Sequence, residues 1–103
     1  MIIKNAAEFY KFISTRELLA YDIETSGLNP RKDCIIGFGV SDGTSGIYVP
    51  HLVWNGETLE EIFSKQECAD MVRALLSKKL IGWNFSFDAR FTIEYFKVDL
   101  TPA

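Results

Sequence analysis

Apolar residues change their period along the chain, and the changes divide it into elements. Phe9, Phe12 and Ile13 fall at helical spacing behind Asn5 and Glu8, a capping-box pair, so a short helix is predicted from Asn5 to about Phe12 or Ile13. Leu18 to Glu24, LLAYDIE, reads as a strand, and Ser26-Gly27 with Asn29-Pro30 marks the loop after it. Cys34 to Ser41 is a second strand. Asp42-Gly43 and Gly46 turn the chain tightly into a third, Ile47 to Val49, stopped by Pro50. These three read as an antiparallel meander. Helical spacing then returns, weakly over Thr58 to Phe63 and strongly over Gln66 to Lys78, where Met71, Val72, Leu75 and Leu76 form one stripe. Leu80 to Trp83 is a short apolar strand. Asn84 or Ser86 caps a last helix carrying Phe87, Phe91, Ile93 and Phe96. Strands, helices, a further strand and a helix make an α/β chain, with a meander plus one strand as its sheet and helices flanking it.

With 103 residues, 48% of them hydrophobic, the chain is expected to form one domain with a core of its own, and disorder is excluded. No apolar run approaches the roughly 18 residues of a membrane span, so a soluble protein without membrane partners is expected. Lys4, Asn5, Glu8 and Lys11 interrupt any signal-peptide core. Cys34 and Cys68 lack metal-ligand spacing and read as reduced, buried thiols of a cytoplasmic protein. The net charge of −3 argues, on its face, against a nucleic-acid binder.

The carboxylates change that picture. Asp22 and Glu24 alternate within an apolar strand and therefore project to one side of it. Two like charges side by side near a core are costly unless a cation neutralises them. A surface strand carries such a pair without consequence, but the flanks Leu19, Tyr21 and Ile23 are residues of buried type. Asp88 falls in the first turn of the last helix, where the helix dipole alone would explain a carboxylate. Clustered oxygen ligands suit Mg2+ or Mn2+, which bind carboxylate, water and phosphate together. Setting these three aside leaves eleven acidic against eleven basic residues, and bound metal would supply the positive charge that phosphate requires.

YDIETSGL and NFSFD together resemble the first and second motifs, D-x-E-T and N-x-x-x-D, of the DEDD (DnaQ-like) superfamily of 3′–5′ exonucleases. Their order and spacing are most similar to the proofreading domain of family-A DNA polymerases of bacteria and phages, and IYVPH resembles that domain's third strand. The resemblance implies a ribonuclease H-like fold and two-metal hydrolysis of the 3′-terminal phosphodiester of single-stranded DNA. It carries Asp22, Glu24 and Asp88 over as metal ligands and catalytic residues, with Thr25 beside them. It carries Leu28 and Asn84 over as residues that contact the terminal nucleotide; independently of it, Phe85, Phe87 or Trp83 are candidates to stack on a base, although most aromatic residues here are expected in the core. It places the protein in the cytoplasm of a bacterium or a phage-infected host.

The resemblance also implies a fourth carboxylate in a later Tyr-x-x-x-Asp or His-x-x-x-x-Asp motif. Tyr95 to Asp99 has the internal spacing but not the reach: one continuing helix would set Asp99 about 16 Å from Asp88 at ~1.5 Å per residue. The two ions of such a site lie only about 4 Å apart. Residues 1–103 therefore read as a single partial exonuclease domain lacking its third motif, expected to be weak or inactive alone. A missing second half would leave apolar residues of the last helix such as Phe91 and Phe96 to be covered by the rest of a polymerase chain or by a second copy. The alternative is a catalytically inactive nucleic-acid-binding or assembly module with an exonuclease-like fold; a plain structural domain with a coincidental acidic pair ranks below both. Elsewhere, Gly37-x-Gly39 lies in a strand and is no dinucleotide loop, and His51, the only histidine, reads as a solvated or locally bonded loop residue. Lys78-Lys79 suits a helix C-terminus.

Overall fold

A computed structural model describes residues 1–100. The order is α1 (Ala6–Ser14), β1 (Leu18–Thr25), β2 (Ile35–Ser41), β3 (Gly46–Pro50), β4 (Leu52–Trp54), β5 (Leu59–Glu61), α2 (Lys65–Ala74) with a 3-10 turn (Leu75–Ser77), β6 (Lys79–Ile81) and α3 (Phe85–Phe96). The main sheet runs β3-β2-β1-β6. Its first three strands are antiparallel, and β6 pairs parallel with β1 over Leu18–Ala20 only. The fold is thus a mixed α/β sheet of the ribonuclease H-like kind.

Alternation in β1 decides which face is which. Leu19, Tyr21 and Ile23 are buried, whereas Leu18, Asp22 and Glu24 are exposed. Across the ladder Tyr21 meets Val40 and Ile23 meets Phe38, which continue on β3 as Ile47 and Val49. All three helices pack on this inner face, through Phe9 and Ile13, through Cys68, Met71, Val72 and Leu75, and through Phe91 and Phe96. The opposite face carries Asp22 and Glu24, with Gly39 and Gly37 as their partners on β2.

Helix starts follow the capping rules. Asn5 Oδ1 accepts the Glu8 N–H at 3.0 Å, but the Glu8 carboxylate takes the N–H of Lys4 rather than that of Asn5, so only half of the anticipated box forms. At α2 the box is complete: Ser64 Oγ accepts from the Glu67 N–H and Glu67 Oε1 from the Ser64 N–H. Ser64→Ala should cost about 1 kcal/mol, read as a lower urea midpoint with an unchanged slope. The turn after β2 is held by Asp42 Oδ1, which accepts the N–H groups of Thr44 and Ser45, with Gly43 at φ 93°. These bonds and the Arg16 guanidinium hold the Asp42 carboxyl well below the usual carboxylate range.

Several expectations are corrected. Thr58 to Phe63 is not helical; Leu59–Glu61 pairs with Leu52–Trp54 as a small hairpin, turned by Asn55, whose side chain accepts two N–H groups, and by Gly56 at φ 104°. Leu76 lies past the end of α2 and is 54% exposed, off the stripe. The strand after it ends at Ile81, leaving Trp83 in a loop. His51 is buried rather than solvated: Nδ1 lies 2.7 Å from the Phe63 carbonyl and Nε2 2.8 Å from the Tyr95 hydroxyl. A carbonyl only accepts, so Nδ1 carries the hydrogen toward Phe63. Cys34 is half-buried and Cys68 buried; both are free thiols. Phe91 and Phe96 have not lost their cover: they are 0% and 3% exposed, because α3 lies against the sheet and α2 of the same chain. The helix stops at Phe96, with Lys97 at φ 61°, so Asp99 is not on it. Among the described residues no helix is long and apolar enough to cross a membrane.

Candidate functional site

The site forms where β6 stops short. Pairing on that side of β1 ends at Ala20, and the chain leaves β6 through Gly82, so the edge of β1 from Tyr21 onward is left for α3. A side chain at Gly82 would meet the Tyr21 carbonyl at 2.8 Å, so only glycine lets the turn pass this close. The first turn of α3 then lies against β1. Thr92, one turn after Asp88, donates to the Asp88 carbonyl at 2.6 Å. Its hydrogen being used there, it accepts from the Tyr21 hydroxyl at 2.9 Å. This buried chain ties the helix to the strand and fixes where Asp88 stands.

Asp88 is buried, and its carboxyl accepts the Ile23 backbone N–H and lies beside Asp22. Its Oδ2 is buried with no hydrogen-bond partner. Burial first, and then the charge of Asp22, push the Asp88 carboxyl up from 3.8 to about 6. A carboxylate pair with an orphaned oxygen is the electrostatic situation that a divalent cation resolves. Glu24 is on the same strand face, one alternation further along. Among the described residues, no three carboxylate, histidine or cysteine side chains converge into a ready metal cluster. Asp22 and Asp88 meet, and Glu24 stands apart from that pair.

The raised value has a measurable consequence. The folded state holds the Asp88 proton more tightly than the unfolded chain does. The stability this group contributes is therefore greatest below about pH 4 and declines as the pH rises toward about 6. Asp88→Asn should abolish this decline, whereas the stability contributed by carboxyls held low, such as Asp42, is lost only below about pH 4 and is the same in both proteins. Urea midpoints from pH 4 to 7 read the difference; parallel profiles for the two proteins would assign the slope elsewhere.

The remaining candidates surround this pair. Thr25 is half-buried and donates to the Gly27 carbonyl at 2.7 Å, so its hydroxyl shapes the loop. Residues 26–34 are folded around Asp33, which accepts the Asn29 N–H at 2.9 Å and the Ser26 hydroxyl at 3.4 Å. A Cβ at Gly27 would collide with that carboxylate. The result presents Leu28 at 84% exposure. Asn84 precedes α3 at φ 52° and makes no side-chain cap, while Trp83 beside it is 94% exposed. Unusual backbone of this kind collects at functional sites. Phe85 is half-buried against Tyr21, ring centroids 6.5 Å apart. Tyr21 and Thr92 escaped the sequence reading; the usable signal was Thr92 at four residues from Asp88 on a helix, where its hydroxyl reaches back to that carbonyl.

The comparisons agree with the fold. None of the curated proteins compared matches the chain. Among solved structures, one described as the apo form of a nuclease superposes with a TM-score of 0.65 at 22% identity, over 98% of this chain and 44% of its own. Brucella melitensis NrnC follows at 0.64 and 20%, over the same shares, and is also known with bound Mg2+. The Aedes aegypti Nibbler EXO domain gives 0.54 at 12%, over 89% of this chain and 42% of its own. The chain thus spans less than half the length of the nucleases whose fold it shares. A family model described as the RNase H superfamily matches residues 19–102, from within the strand that carries Asp22 and Glu24 to beyond the end of α3, and the chain belongs to that superfamily.

Proposed function

We propose that the chain is part of a 3′–5′ exonuclease in which Asp22, Glu24 and Asp88 hold Mg2+ or Mn2+. The observation that carries this reading is the buried, unpartnered Oδ2 of Asp88 beside Asp22. Bound divalent metal supplies activation of the attacking water and stabilisation of the leaving oxygen. The chain's own residues do the rest. Asp22 and Asp88 present paired carboxylate oxygens, and the Tyr21–Thr92 link keeps them together. Leu28 and Phe85 offer apolar contact to the terminal nucleotide, and Asn84 a hydrogen bond. Thr25 holds the turn that presents Leu28.

The substrate in this reading is the 3′ end of single-stranded DNA. Its setting within a proofreading DNA polymerase draws on the resemblance of YDIETSGL, IYVPH and NFSFD alone. In the same reading, residues 1–103 contribute three of four carboxylates, and further polypeptide contributes the fourth. The position of Glu24 outside the Asp22–Asp88 pair favours a second reading, a nucleic-acid-binding module without catalysis.

Manganese titration followed by paramagnetic broadening tests the proposal. Broadening centred on residues 22–24 and 88, at millimolar metal as befits a site of few charged ligands, is the expected result. No residue-specific broadening there would sink it. Broadening without any release of nucleotides from a 3′-labelled strand would favour the binding module.

A further inference from the structure

On the open face of the sheet, Glu24 has an unusual neighbourhood. Its partner across the ladder is Gly37, whose own partner on the other side is Pro50. Tyr48 pairs with Gly39, one alternation away, and its side chain leans back across β2 over Gly37. A Cβ on Gly37 would collide with the Tyr48 hydroxyl and ring. Gly37 is therefore the residue that lets an aromatic ring from β3 lie across β2 toward β1. A glycine inside a central strand weakens it unless something must approach closely, and here that something is the phenol.

Tyr48 is also firmly held. Its N–H donates to the Met1 carbonyl at 2.8 Å, and its carbonyl accepts from the Ile3 N–H at 3.1 Å, in addition to its ladder with β2. The ring is half-buried. A phenol carries an O–H donor.

We propose that Tyr48 is a positioning residue of the carboxylate site: its hydroxyl, carried across β2 over Gly37, is the donor that fixes the Glu24 carboxylate on the open face it shares with Asp22. This deepens the metal-site reading above and rests on it. Glu24 is exposed, like Asp22, and has the longer and more flexible stem, so it needs orientation that the buried Asp88, fixed by α3, does not. Groups that orient a ligand typically change metal affinity by 10–100-fold when removed.

The test uses Mn2+ alone with the full chain. Tyr48→Phe keeps the ring over Gly37 and removes only the donor. It is expected to weaken Mn2+ binding by about tenfold without lowering the thermal midpoint. Gly37→Ala, which must displace the phenol, is expected to reproduce the loss. In a Glu24→Gln background, Tyr48→Phe should have no further effect on Mn2+, because the two act through one interaction. Wild-type affinity in Tyr48→Phe, or an equal loss in the Glu24→Gln background, overturns the inference while leaving the metal site standing. Absence of Mn2+ binding by the wild-type chain overturns the metal-site reading itself, and the inference with it.

Discussion

Asp22→Ala is expected to abolish divalent-metal binding while leaving the fold as stable as before or slightly more so at pH 7. The reason lies in the pair it breaks. Asp88 is buried and fixed by the Ile23 N–H and by α3, so its charge must be tolerated where it is. Asp22 is exposed and adds a like charge beside it. Removing Asp22 lowers the cost of ionising Asp88 and leaves no apolar void, because the side chain it deletes sits on the open face. A side chain kept for stability would show the reverse, a loss of stability on truncation. Metal linkage makes the contrast larger. A ligand at about ten times its dissociation constant stabilises the folded state by about 1.4 kcal/mol. Thermal melts with and without millimolar Mn2+ should show that gain in the wild-type chain and not in Asp22→Ala. The same substitution should reduce any Mg2+-dependent hydrolysis of a 3′-labelled single strand, followed with protein in excess, by on the order of 10³-fold. That corresponds to about 4 kcal/mol of transition-state stabilisation. Hydrolysis that persists at the wild-type rate in Asp22→Ala would assign the chemistry to other residues.

How much of this was legible in the sequence depends on the range of the interaction that decides each element. β1 was readable because its alternation is local: Leu19, Tyr21 and Ile23 against Asp22 and Glu24 specify both a strand and its two faces. The meander followed from its turns, where Asp42 and Gly43 have only one good conformation to offer. The hairpin of β4 and β5 was misread. Leu59, Glu60 and Glu61 have no strand pattern of their own, and what makes them a strand is pairing with Trp54, Val53 and Leu52 across a turn built by Asn55 and Gly56. His51 was misread for the same reason. Its partners, Phe63 and Tyr95, are 12 and 44 residues away, and no local signal announces either. The burial of Phe91 and Phe96 is likewise a tertiary matter: both lie in the one core cluster of the chain, Phe96 against Phe38 of β2 with ring centroids 6.1 Å apart.

The site divides along the same line. That Asp22 and Glu24 share a face follows from a period of two. That Asp88 reaches Asp22, and that Glu24 lies outside this pair, is set by where β6 stops and by how closely Gly82 lets α3 approach β1. Both are tertiary facts. The Tyr21–Thr92 bond spans 71 residues and belongs to the same class.

Phe38→Ala should be the most damaging single substitution in the chain. Phe38 lies at the middle of β2, paired with Ile23 on one side and Val49 on the other, and it is fully buried. Its ring meets Phe9 of α1 at 6.2 Å, Tyr21 of β1 at 5.9 Å and Phe96 of α3 at 6.1 Å between centroids. Two of these contacts are edge-on, the geometry in which aromatic pairs attract beyond their area. One side chain thus joins the sheet to the first and last helices. Truncating a buried phenylalanine costs about 3–5 kcal/mol, against a total of about 5–15 kcal/mol for a domain. At this size each kcal/mol moves the midpoint by about 4–8 °C, so a fall of about 12 °C or more is expected in a thermal melt. Phe38→Leu keeps most of the volume and should lose about half as much. The pair also separates packing from chemistry. Ile23, opposite Phe38, supplies the N–H that Asp88 accepts. At a temperature where Phe38→Leu remains folded, its Mn2+ binding should equal that of the wild type, because the backbone of β1 is held by the ladder rather than by the ring. A metal-binding loss in the folded leucine variant would show that the core ring itself sets the carboxylate geometry, and a fall of only a few degrees in Phe38→Ala would show that the four-ring cluster does not hold the helices to the sheet.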